Sequence, residues 1–322
     1  MEMRKKNIRR IVAAAIFVVA TVAATNIFAQ SKIVRLTRFK GEKLTGVKIS
    51  APFMVELSQG DNTSAVVEIS EELEKDLVFE NRNGVVYIDV KSNKSKNGNL
   101  DLFSFFSSDD SRKRFENKHL VARITVNDLC LLNLSVGASV DAKTPFGVDN
   151  SAIALSAASS VNGMSLKGNN IKLDVSSASS FNAVSVSCDE FNADLSSAAN
   201  VSIDKLEAEE VEVDASSSAS AVVGMTAQKA ELSTSSAGRI TASGRCDSCQ
   251  IEGSSGSKIS AGGLDANVVD ASFSSGASGE ITVQKSLSVL VSSGGKLTYN
   301  GSPDITSKGV YSGGSLVQGF AR

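Results

Sequence analysis

Apolar and polar residues alternate in short runs that recur between Cys130 and Tyr299. In Ile171-Lys-Leu-Asp-Val175, Val211-Glu-Val-Asp-Ala215 and Ala230-Glu-Leu-Ser-Thr234 every second side chain is small or apolar. A strand sends successive side chains to opposite faces, so this alternation predicts one buried face and one wet face. A second short strand follows in each copy, as in Val201-Ser-Ile203, Ile240-Thr-Ala242 and Leu297-Thr-Tyr299. Between the two lies a corner of Ser, Ala and Gly. The second serine of that corner recurs at 177, 197, 217, 236, 255, 275 and 293, a spacing of 18 to 20 residues.

A period near 20 predicts a stacked solenoid. Two such strands cannot enclose a core alone, but coils stacked at roughly 4.8 Å per step pair their backbones and merge their apolar residues into one core. The expected fold is therefore all-β: a parallel β-solenoid of about nine coils, with a β-rich N-terminal region. Small corner residues suit a sharp turn, because Gly tolerates positive φ and Ser bonds nearby backbone. Two extra residues between Ser275 and Ile281 predict a bulge at that corner.

The remaining segments divide the chain. Residues 1–29 read as a secretory signal, with Arg4, Lys5, Lys6, Arg9 and Arg10 before the apolar run Ile11 to Ala24. Residues 30–129 form the N-terminal β region, in which Asn83-Gly84 marks a hairpin before Val85. Within it, residues 91–118 are a polar excursion with an aromatic tip, Leu102-Phe-Ser-Phe-Phe106. That tip is either a surface excursion or a contact for a partner or membrane surface. The solenoid occupies 130–300, and 301–322 is a C-terminal cap or tail.

The whole chain carries 33 Lys and Arg against 35 Asp and Glu. Removing residues 1–29 takes away five basic residues and one acid, leaving 28 and 34, a formal charge of −6. A mildly acidic chain without a basic cluster argues against nucleic-acid binding. Export to the periplasm, cell surface or medium is expected, with no membrane span once the signal is removed.

Few residues suggest chemistry. His119 is the only histidine, which argues against a Ser-His-Asp triad. Cys246-Asp-Ser-Cys249 has redox-pair spacing but lacks two further zinc ligands, leaving a local disulfide or two free thiols. Cys188 falls near the row of Cys246 but three coils away, roughly 14 Å and beyond bridging reach. Cys130 is expected to point inward.

Asp174, Asp194 and Asp214 share one register position on successive coils, and Glu252 takes it two coils later. This row is either a solvated face that deters sheet pairing or a calcium site, since Ca²⁺ favours clustered carboxylates.

In Arg38-Phe-Lys-Gly41, Val47-Lys-Ile49, Val55-Glu-Leu57-Ser-Gln59-Gly60, Gly84-Val-Val-Tyr-Ile88, Ile124-Thr-Val126 and Leu297-Thr-Tyr-Asn-Gly-Ser-Pro303, the chain resembles the auto-transporter adhesin head GIN domain family (DUF2807) of secreted Bacteroidetes proteins. The resemblance spans most of residues 36–300 and departs in using Ser and Ala where the family often has Gly. It implies a secreted or surface β-solenoid without catalytic residues.

The favoured expectation is thus a non-enzymatic, exported, adhesin-like binding module for a glycan or surface protein, needing no cofactor. The alternative is a calcium-dependent, pectate-lyase-like protein acting on acidic polysaccharide. In that case Lys172 is the only local base beside the acid row.

Overall fold

The computed structural model describes residues 32–91 and 113–319. The signal segment and most of the polar excursion lie outside the described residues. The rest forms a parallel β-solenoid whose coils wind around three faces rather than two.

Coils β14 (Ser180–Leu195), β15 (Asn200–Ala215), β16 (Ser220–Thr234), β17 (Arg239–Gly253), β18 (Lys258–Phe273) and β19 (Ser278–Val291) stack in parallel along almost their whole length. In β14 the inward residues are Phe181 and Ala183 on one face, Val186 and Cys188 on another, and Phe191, Ala193 and Leu195 on the third. The two-strand expectation missed the middle pair for a physical reason. At each bend the inward positions are three residues apart (183 to 186, 188 to 191), so the period of two breaks at the chain's change of direction. For brevity, the sheet containing Phe191 is face A, that containing Phe181 face B, and that containing Val186 face C.

The Ser-rich corner joins face A to face B. Its two central residues are both left-handed, as at Ser177 (φ 53°) and Ala178 (φ 59°), and this repeats from Val136 to Ser312 in ten corners, bounding nine turns. Within a corner the Ser179 N–H donates to Ser176 O, so the turn is of the I′ kind. Between corners the Ala178 N–H donates to Ser197 O, the Ala198 N–H to Ser217 O, and so on up the stack. The corner therefore has its own ladder, which offsets the roughly 1–2 kcal/mol that a Cβ costs in this conformation. The following position is buried and small for lack of room. A Cβ on Gly238 would stand 2.1 Å from Ala215 O.

The bulge expected between Ser275 and Ile281 does not form. Gly279, not Ile281, pairs with Ile259, and the irregularities fall later, between Ala261 and Asp265 and between Ala266 and Val268 of β18. The cause is Phe273, which is 1% exposed. Its ring occupies the volume that a side chain at 279 would fill, since a Cβ there would meet Phe273 Cζ at 2.2 Å. A Cβ on Gly253, one coil earlier, would meet the same ring at 2.5 Å.

The two ends differ. At the N-terminal end β2 (Gly46–Ile49) and β3 (Met54–Gln59) join the parallel ladder. They are followed outward by antiparallel strands: β5 (Leu77–Arg82) on β6 (Val85–Val90), and β1 (Ile33–Arg38) on β4 (Ser64–Ser70) on β7 (Leu120–Val126). The Asn83-Gly84 hairpin is present, with both residues at positive φ. Such turned-back strands cover an open sheet edge.

At the C-terminal end β21 (Asp304–Val310) and β22 (Ser315–Gln318) add a further coil on faces A and B. There Lys308 pairs with buried Val289, and Gln318 with Tyr299. Polar residues thus stand at two core registers of the last coil.

Candidate functional site

The outer side of face A is built from three columns of residues that alternate with its core positions. One column runs Asp174, Asp194, Asp214, Ser233, Glu252 in strict register. The next runs Lys172, Asn192, Glu212, Glu231, Gln250, Asp270, and the third contains Glu190, Glu210 and Lys229. Nine carboxylates therefore face two lysines on this surface. Neighbouring coils place like charges roughly 5 Å apart, which costs on the order of 1 kcal/mol per pair in water-like dielectric.

The structure shows how part of this repulsion is relieved. Lys172 Nζ lies 3.7 Å from Asp174 Oδ1 and 3.8 Å from Asp194 Oδ2, bridging two coils. Lys229 Nζ is 3.9 Å from Glu210 Oε2. Asp214 lacks such a lysine. Partial burial, then the carboxylates of Glu212 and Asp194, push its pKa above the usual range, against a hydrogen bond with Ser233. Among the described residues no group of three or more His, Cys, Asp or Glu side chains is arranged to hold a metal ion.

Face B presents a different exterior. One column is Asn182, Ser202, Val222, Thr241, Ser260, Glu280, and the column beside the corner runs Ser220, Arg239, Lys258, Ser278, Lys296, Ser315. Carboxylates are therefore concentrated on face A, whereas these columns of face B are mostly hydroxyl and amide, with three basic residues and Glu280.

The other residues singled out from sequence are placed as follows. His119 Nε2 lies 3.3 Å from Glu68 Oε2, in a surface network where Glu68 Oε1 also accepts from Arg123 Nη1 at 2.9 Å. The hydrogen bond from His119, then that from Arg123, holds the Glu68 carboxyl below its usual pKa. His119 is thus part of an ion-pair cluster. Cys130 is exposed rather than inward, and its thiol donates to Asp128 Oδ2 at 3.2 Å. The reason is again a bend, because Leu129 and Leu132 take the inward positions three residues apart. Cys188 is buried and separated from Cys246 by Ala208 and Ala227 in one column. Burial, then Asp189, pushes its pKa up to about 12. Cys246 and Cys249 are both free and buried.

No helix among the described residues is long and apolar enough to cross a membrane. No curated protein matches the chain. Solved structures similar to it include an adhesin so described from Parabacteroides distasonis ATCC 8503, with 14% identity, TM-score 0.50, and 90% of this chain and 98% of that chain covered. Another, from Parabacteroides merdae ATCC 43184, has 13% identity, TM-score 0.47 and coverages of 90% and 97%. A third, from P. distasonis and described as a lipid binding protein, has 16% identity, TM-score 0.44 and coverages of 90% and 98%. At these identities the likeness bears on fold alone. The family model described as "Putative auto-transporter adhesin, head GIN domain" matches residues 43–226 and 216–303, and the chain belongs to that family, DUF2807.

Proposed function

We propose that this protein is a non-enzymatic, exported binding module of adhesin type that engages a surface glycan or protein through a broad face rather than a cleft. The observation that carries this reading is the concentration of carboxylates on a register-locked exterior, the acidic columns of face A. An extended field of one sign steers a complementary surface and makes binding salt-dependent. The test is binding of residues 30–322 to glycan and matrix-protein arrays at low and raised salt. Expected are hits that weaken with salt and with Asp194→Lys. A clean negative together with hydrolysis of any arrayed substrate would overturn the reading.

A second reading is favoured by one feature, the strict register of Asp174, Asp194 and Asp214. Calcium held along that row, displacing Lys172, would bridge it to an acidic polysaccharide. Isothermal titration with calcium tests this directly; no heat of binding and no cleavage of acidic glycans would remove it.

A further inference from the structure

Coil β17 passes from face C to face A through Cys246-Asp247-Ser248-Cys249. Both cysteines take inward registers: Cys246 lies in the column of Ala227 and Ala266, and Cys249 in that of Ala230 and Val269. They are 4% and 1% exposed and occupy successive inward positions, three residues apart, on either side of the bend. A recess on the exterior, lined by Arg245, Asp265, Asn267 and Gln284, reaches Cys246 but not Cys249. The two cysteines therefore differ in access while flanking one bend from inside the core.

We propose that Cys246 and Cys249 are a dithiol site that closes to an intrachain disulfide, with Cys246 reacting first through the recess and Cys249 resolving from within the core. The oxidant is a disulfide-bearing thiol oxidant of low molecular weight, such as glutathione disulfide. The Cys246 thiolate attacks one sulfur of the oxidant, breaking its S–S bond and releasing one thiolate. Cys249 then attacks the Cys246 sulfur, forming the protein S–S bond and releasing the second. The two thiol protons pass to the released thiolates, so the protein loses two protons and two electrons and the oxidant gains them.

Ionisation favours the same order. The neighbouring Cys249 thiol holds the Cys246 thiol below its usual pKa, against burial and the nearby Asp247. The Cys246 thiol, then burial, pushes Cys249 up. A nucleophile that ionises more readily at the accessible end, with its resolving partner behind it, is the arrangement that thiol exchange requires.

The full chain is tested in a Cys130→Ser background, which removes the exposed thiol. Reduced protein is treated with glutathione disulfide, denatured, alkylated and cleaved after Lys and Arg. Arg245 and Lys258 bracket one peptide, Cys246 to Lys258, that carries both cysteines. The expected result is that this peptide is two hydrogens lighter and unalkylated while Cys188 is alkylated. In Cys249→Ser the reaction should stop with glutathione on Cys246. Full alkylation of both cysteines, or a lasting glutathione adduct on the intact pair, would overturn the proposal. Arrays and oxidation are read separately, so either result can fail without the other.

Discussion

Exchanging volume between Phe273 and Gly279 tests the packing argument most directly. Phe273→Ala removes a ring that is 1% exposed and leaves a cavity between coils. Large aromatic truncations of this kind cost about 3–5 kcal/mol. Gly279→Val adds a side chain whose Cβ alone would stand 2.2 Å from Phe273 Cζ. Overpacking in a core costs about 1–3 kcal/mol, and a contact this short belongs at the upper end or beyond. The two perturbations act on one volume. In the double variant the valine therefore enters the space the ring vacated, pairing in column with Ile259 and Leu297. The double variant should then be at least about 1–3 kcal/mol more stable than the sum of the two single losses predicts. The chain has no tryptophan, so urea unfolding is best followed by far-UV circular dichroism. Because repeat arrays can unfold in stages, midpoints are compared only where the slopes agree. Losses that add within about 0.5 kcal/mol would refute the shared-volume account.

Other predictions concern the faces, the acids and the ends. Leu173→Asp places an unpaired charge at a fully buried position and should destabilise by several kcal/mol, whereas Lys172→Asp on the exterior should leave the core intact; equal melting temperatures would contradict the face assignment. Asp214 has a raised folded pKa, so its ionisation opposes folding, and stability falls as pH rises from its unfolded value near 3.8 through the folded one. Asp214→Asn should accordingly melt higher than wild type at neutral pH, with the difference vanishing below pH 3.8; a variant that melts lower at neutral pH would reverse the sign and the argument. Lys308→Val with Gln318→Leu should raise the sedimentation coefficient and scattering mass through end-to-end assembly, and a profile unchanged from wild type would mean that something else protects the edge.

Most of the architecture was legible because stacking repeats the same constraints in every coil. The Ser177 to Ser293 spacing located the corners, and the alternation in Ile171 to Val175 gave the face assignment that burial shows. The same logic placed Asp174, Asp194 and Asp214 in one column. What escaped lies where periodicity breaks. The segment Val186 to Cys188 is a strand of face C, but its phase is shifted at both bends, and Cys130 was misplaced by the same shift at Leu129. Gly279 was passed over because its neighbour in volume, Phe273, is six residues away and around a corner. The burial of both Cys246 and Cys249 depends likewise on how a bend sets two inward positions three residues apart. Sequence spacing reports order along a strand well and proximity across a bend poorly.

The pair Lys308 and Gln318 has a consequence for size. A stack of equivalent coils has no natural length, because the same interface that joins two of them could accept another chain's coil. An ammonium and an amide at core registers, beside the apolar Ile305 and Val310, make the next step less favourable. Coils could then be gained or lost in the middle while both termini keep their character. The reach of the molecule is in that sense adjustable in units of one strand spacing, without reopening it to polymerisation.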